Sequence, residues 1–90
     1  TEGIVVVVVP IEEATGKMTS SPEIITRGFV YAKGSRELLG KASEIVSRAV
    51  PRGRVTDWQF LRKRIEESLA GFLLKETGRR PLIVPVVLEV

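Results

Sequence analysis

Histidine and cysteine are both missing from this 90-residue chain. Their joint absence leaves only carboxylates and carbonyls for metal and removes the commonest general base. Zinc-dependent hydrolysis is therefore not expected from these residues alone, and no metal or cofactor is expected in the domain. Without cysteine there is no disulfide framework and no thiolate site, which suits a reducing compartment and points to the cytoplasm. No segment reaches the roughly 18 consecutive apolar residues that a membrane span requires. The chain opens Thr-Glu-Gly, with neither Met nor the basic start of a signal peptide, and reads as a piece of something longer.

What the chain does have is two apolar runs without alternation. Val5 to Val9 is all valine, extended to Ile4 and Pro10, and Leu82 to Leu88 reads Leu-Ile-Val-Pro-Val-Val-Leu. A strand with one wet face alternates apolar and polar residues, because successive side chains point opposite ways. A strand that does not alternate is apolar on both faces. Ninety residues form one small domain, residues 1–90, and its two helical stretches cannot easily cover a sheet twice. Part of the burial is therefore expected from another domain or subunit.

Charge is unevenly placed. Residues 1–26 carry four glutamates against Lys17, a net of −3, whereas residues 27–90 carry +6. A basic region of this strength is compatible with polyanion contact without requiring it.

Along the chain, Gly3 to Ile11 reads as the first strand. Ala14-Thr15-Gly16-Lys17 gives a turn, and Ile24 to Tyr31 a second strand with Gly28 inside it. Ser35 is the candidate N-cap of a first helix, whose Leu38, Leu39, Ala42, Ile45, Val46 and Ala49 fall on one stripe before Pro51 stops it. Glu37–Lys41 and Glu44–Arg48 are i,i+4 pairs in the favourable order, worth about 0.3 kcal/mol each. Thr56-Asp57-Trp58-Gln59 fits a capping box with Thr56 at N-cap. The second helix runs to Thr77 and Gly78, with Trp58, Leu61, Ile65, Leu69, Phe72 and Leu73 facing the core and Phe60 and Leu74 on the far side. Leu82 to Val90 is the third strand. Pro85 within it marks a sheet edge, which leaves the first strand in the middle. The expected fold is α+β: β-β-α-α-β, a three-stranded mixed sheet of order 2-1-3 with both helices on one face. One helix on each face is the alternative.

The few polar strand residues give a parity for the uncovered face. Arg27, Glu89, Glu2 and Glu12 place Ile4, Val6, Val8, Ile25, Phe29, Tyr31, Ile83 and Val87 there as candidate interface residues. Exposing about six such side chains would forgo on the order of 10 kcal/mol of burial, comparable to the entire stability of a small domain. Apolar patches of that size usually signify contact.

The segment Pro22-Glu23-Ile24-Ile25-Thr26-Arg27-Gly28-Phe29-Val30-Tyr31, the Asp57-Trp58 pair and the closing Thr77-Gly78-Arg79-Arg80-Pro81 to Val90, together with the opening Gly3 to Val9, resemble the C-terminal domain of bacterial ribonuclease J. The likeness spans nearly the entire chain. It implies a parent enzyme that degrades and matures RNA as a 5′-3′ exonuclease and endonuclease. The parent's chemistry would reside in a metallo-β-lactamase domain with an inserted β-CASP domain holding two metal ions, usually zinc. The resemblance further implies a small C-terminal domain that supports homo-oligomer formation and contact with the catalytic domains, and that meets RNA through the parent. None of the family's catalytic His/Asp motifs has a counterpart here, so no catalytic residue is carried over.

The alternative is an autonomous single-stranded RNA-binding module. Arg52, Arg54, Arg62, Lys63, Arg79 and Arg80 could neutralise phosphates, and Phe29, Tyr31 or Trp58 could stack on bases. Against that, Arg62–Glu66 and Lys63–Glu67 are i,i+4 partners, and Arg79 and Arg80 follow a helix C-terminus where cations are favoured anyway. Trp58 falls on the core stripe. Ile4, Val6 and Val8 beside Phe29 and Tyr31 suit a protein partner better than a base.

Overall fold

The valine run forms the central strand of a three-stranded sheet. In the computed structural model, which describes residues 3–29, 35–53 and 56–90, the elements in chain order are β1 (Ile4–Ile11), β2 (Glu23–Arg27), α1 (Ser35–Ala49), α2 (Trp58–Thr77) and β3 (Leu82–Glu89). The sheet order is β2-β1-β3. β2 pairs antiparallel with β1, from Ile4 opposite Arg27 to Val8 opposite Glu23. β3 pairs parallel with β1 over its full length, from Ile4 opposite Leu82 to Ile11 opposite Glu89. The Leu82 N–H donates to the Gly3 carbonyl at 2.8 Å and the Val90 N–H to the Ile11 carbonyl at 2.9 Å, closing the ladder at both ends. Pro85 sits in the edge strand, where its missing N–H disrupts least.

Both helices cover the same face. Val5, Val7, Val9 and Ile11 of β1 are buried with Leu38, Ala42, Val46 and Ala49 of α1 and Leu61, Ile65, Leu69 and Leu73 of α2. α1 lies toward β2 and α2 toward β3. The Ser43 hydroxyl donates to the Pro22 carbonyl at 2.9 Å, tying α1 to the chain just before β2. Trp58 and Phe72 pack partly buried against the same core. Among the described residues no buried side-chain nitrogen or oxygen lacks a hydrogen-bond partner.

Several local expectations are corrected. β2 ends at Arg27 rather than Tyr31, because Gly28 adopts φ +68° and turns the chain out of the extended form. That turn breaks the alternation, so Phe29 swings into the core, 7% exposed, instead of lining the uncovered face. Ile83 and Val87 also belong to the covered face. They sit opposite Val5 and Val9, Ile83 is 7% exposed, and Val87 packs against the core. Glu89 misled the parity. It shares a face with buried Ile11, but as the last residue of an edge strand it still reaches water. The N-cap of α2 is Asp57, not Thr56. Its backbone is extended (φ −117°, ψ 97°), and its carboxylate accepts the Phe60 N–H at 3.0 Å. Ser35 is already the first residue of α1. Gly78 caps α2 in the left-handed conformation, as expected, its N–H donating to the Leu74 carbonyl at 2.8 Å. Tyr31 and Arg54 lie outside the described residues.

Candidate functional site

The face of the sheet away from the helices is apolar across two of its three strands. β1 presents Ile4, Val6, Val8 and Pro10 there, and β3 presents Leu82, Val84, Val86 and Leu88. Leu82 and Leu88 are 52% and 49% exposed, and Ile4, Val84 and Val86 are also exposed. Val6 and Val8, in the middle, are half-buried by their strand neighbours. β2 contributes Glu23, Ile25 and Arg27, so charge appears only along that edge. The sequence located Ile4, Val6, Val8 and Ile25 correctly on this face. It missed the β3 row, because both rows of β3 are apolar and nothing but the terminal Glu89 distinguished them.

The face has defined dimensions. Eight residues at about 3.3 Å each and three strands about 4.8 Å apart give roughly 26 by 14 Å. That exceeds what scattered surface residues provide and falls short of the ~800 Å² per partner of a standard stable interface.

The candidate RNA-contacting cations do not gather. Arg52 lies in the connection before α2, Arg62 and Lys63 on α2, and Arg79 and Arg80 after it, all exposed. Arg62 lies about 22 Å along α2 from Thr77, the last helical residue, beyond which Arg79 and Arg80 follow. Among the described residues no three His, Cys, Asp or Glu side chains form a group able to hold a metal ion. The carboxylates that would have to serve, such as Glu12, Glu13, Glu66 and Glu67, are solvent-exposed. These residues do not fit a two-metal hydrolytic centre. No helix among the described residues is long and apolar enough to cross a membrane.

The model of the ribonuclease J C-terminal domain family matches residues 1–90. The chain belongs to that family. This ribonuclease J C-terminal domain is similar to Ribonuclease J2 of Bacillus subtilis, 37% identical over 99% of the chain. It is also similar to Ribonuclease J 2 of Streptococcus pyogenes, 35% identical, and of Staphylococcus epidermidis, 34% identical, again over 99% of the chain. The chain spans only 17% of the Bacillus protein and 16% of the Staphylococcus one. The resemblance carried by the strand-two segment and the closing strand is thus confirmed for the domain, and five-sixths of each relative lies beyond the matched region.

Proposed function

We propose that this domain is the non-catalytic assembly module of a ribonuclease J-like, metal-dependent 5′-3′ exo- and endoribonuclease of the metallo-β-lactamase/β-CASP type. Its role is to join copies of the enzyme through the uncovered sheet face. One observation carries the reading: the outer rows of β1 and β3 contain no charged residue. The occupant best suited to the face is a second copy of itself. Glu23 and Arg27 lie on the same side of β2, four residues apart. A two-fold axis perpendicular to the strands would lay the two sheets face to face and set each Glu23 near the partner's Arg27. Apolar rows would then meet apolar rows in the middle. The same proposal includes cytoplasmic RNA processing and decay, with zinc in the parent's catalytic domains, and these extend beyond the 90 residues.

Size-exclusion chromatography with light scattering on the purified chain tests the reading. The expected result is a mass above the monomer that rises with concentration and falls at every concentration in Val84→Asp and Val6→Asp. A monomer at every concentration, indifferent to both substitutions, would sink the assembly role. Incubating the chain with 5′-labelled RNA and divalent zinc, manganese or magnesium should give no cleavage. Metal-dependent cleavage would show that the domain is catalytic after all.

A further inference from the structure

α2 carries a second outward stripe that its own domain does not explain. Phe60, Arg64, Glu67, Gly71 and Leu74 recur at i, i+4, i+7, i+11 and i+14, on the side opposite Leu61, Ile65, Leu69 and Leu73. Phe60 is 57% exposed, and Leu74 is exposed as well. Beside Phe60 lies a shallow hollow of about 270 Å³ lined by Phe60, Lys63, Arg64, Glu67 and Ser68. Gly71 lies within the helix, where only proline is a worse helix former. A Cβ there would meet nothing within 4 Å, so no neighbour in this chain requires a glycine. Gly40 of α1 is equally open, but Arg36, Glu37 and Glu44 surround it, with no exposed apolar group. On α2 alone, an exposed ring, a bare patch of backbone and an opposite-charge pair between them share one stripe.

We propose that α2 pairs antiparallel with α2 of a second copy, about a two-fold axis crossing between Ile65 and Glu66. In this register Phe60 of one copy lies over Gly71 of the other, and Arg64 of one meets Glu67 of the other, each contact occurring twice by symmetry. Gly71 lets the ring approach the backbone closely. The charges select the register, because sliding the helices to set Glu67 against Glu67 opposes like charges. They also select the occupant. A nucleic-acid strand stacked on Phe60 would meet the Glu67 carboxylate, whereas a second copy supplies Arg64 to it. The contact spans few turns and is weaker than a standard interface. It acts together with the sheet face, since a second contact between copies already held close forms at high effective concentration. Two different two-fold contacts on one chain produce assemblies larger than a dimer.

The domain has its own core, so the purified 90-residue chain serves for the test. Sedimentation velocity over a concentration series is compared between the chain and its Val84→Asp variant, which lacks the sheet contact. Species larger than a dimer are expected from the unmodified chain, and a weak, concentration-dependent dimer from Val84→Asp. Arg64→Glu and Glu67→Arg should each abolish the α2 contact. The double variant Arg64→Glu/Glu67→Arg should restore it, because the pair re-forms with its charges exchanged. Gly71→Leu should give readouts of opposite sign: a higher thermal midpoint, because leucine is the better helix former, and association weakened at least tenfold. Association that ignores Gly71→Leu, that charge exchange fails to restore, or that is absent at every concentration overturns the pairing. Binding of a fluorescent single-stranded RNA that is lost in Phe60→Ala, with mass unchanged, assigns the hollow to nucleic acid and overturns it too. If Val84→Asp leaves the mass unchanged while the α2 variants lower it, the sheet reading fails and the α2 pairing stands.

Discussion

Three glycines carry three different physical burdens, and substitution to alanine separates them. Gly3 has φ +97°, and a Cβ there would come within 2.5 Å of the Gly28 carbonyl carbon and the Phe29 nitrogen, all of it backbone. Relieving the clash would part the head of β1 from the Gly28–Phe29 backbone, beside the point where the Gly3 carbonyl holds Leu82. Gly3→Ala is expected to cost more than about 2 kcal/mol in urea unfolding. Gly28 has φ +68°, but a Cβ there would lie 3.6 Å from the Gly3 Cα, an ordinary contact. Gly28→Ala should cost only the left-handed penalty, about 1–2 kcal/mol. Gly40 lies in α1 with open space above it. Gly40→Ala should stabilise by about 1 kcal/mol, raising the thermal midpoint by about 4–8 °C for a domain of this size. A Gly3→Ala variant as stable as the parent would show that the close approach at the head of β1 is absent in solution.

The elements differ in how openly the sequence announces them. Pro85 placed β3 at an edge and β1 at the centre, and the 3.6-residue stripes of α1 and α2 identified their buried faces, because each signal has one physical meaning. The outer row of β3 was not readable, because Leu82, Val84, Val86 and Leu88 are as apolar as the covered Ile83 and half-covered Val87. Alternation carries no information when both rows are greasy, and only pairing with β1 decides the matter. Phe29 was lost for a different reason: a single left-handed residue, Gly28, ends the period-2 pattern on which the parity rested. The start of α2 was ambiguous because Thr56 and Asp57 both make good caps. The charged Asp57 side chain takes the Phe60 N–H and gains from the helix dipole. Asp57→Ala should therefore cost about 1 kcal/mol by thermal unfolding, while Thr56→Ala should fall within about 0.5 kcal/mol of the parent. The reverse ranking would return the cap to Thr56.

The assembled particle and the isolated domain should respond differently to salt. The sheet face is apolar at its centre, so its association should persist at about 0.5 M sodium chloride, where exposed charges are screened within a few ångströms. The α2 contact depends on Arg64 and Glu67 and should weaken, so that larger species revert toward dimers. A dimer that itself dissolves in salt would place its energy in Glu23 and Arg27 instead of the valine and leucine rows. A further effect lies in the order of synthesis. Within the domain β1 is made first, and its parallel partner β3 comes last, nearly eighty residues later, as the pairing of Ile4 with Leu82 records. Such distant partners meet late in folding. Until they do, Val5 to Val9 has one open edge, and a bare, uncharged valine strand invites pairing with other chains. A nascent polypeptide truncated before Leu82 would therefore lose a rail of its sheet and not a dispensable tail. Ribosomes that stall inside the codons for β3 should release a product destined for proteolysis or inclusion bodies.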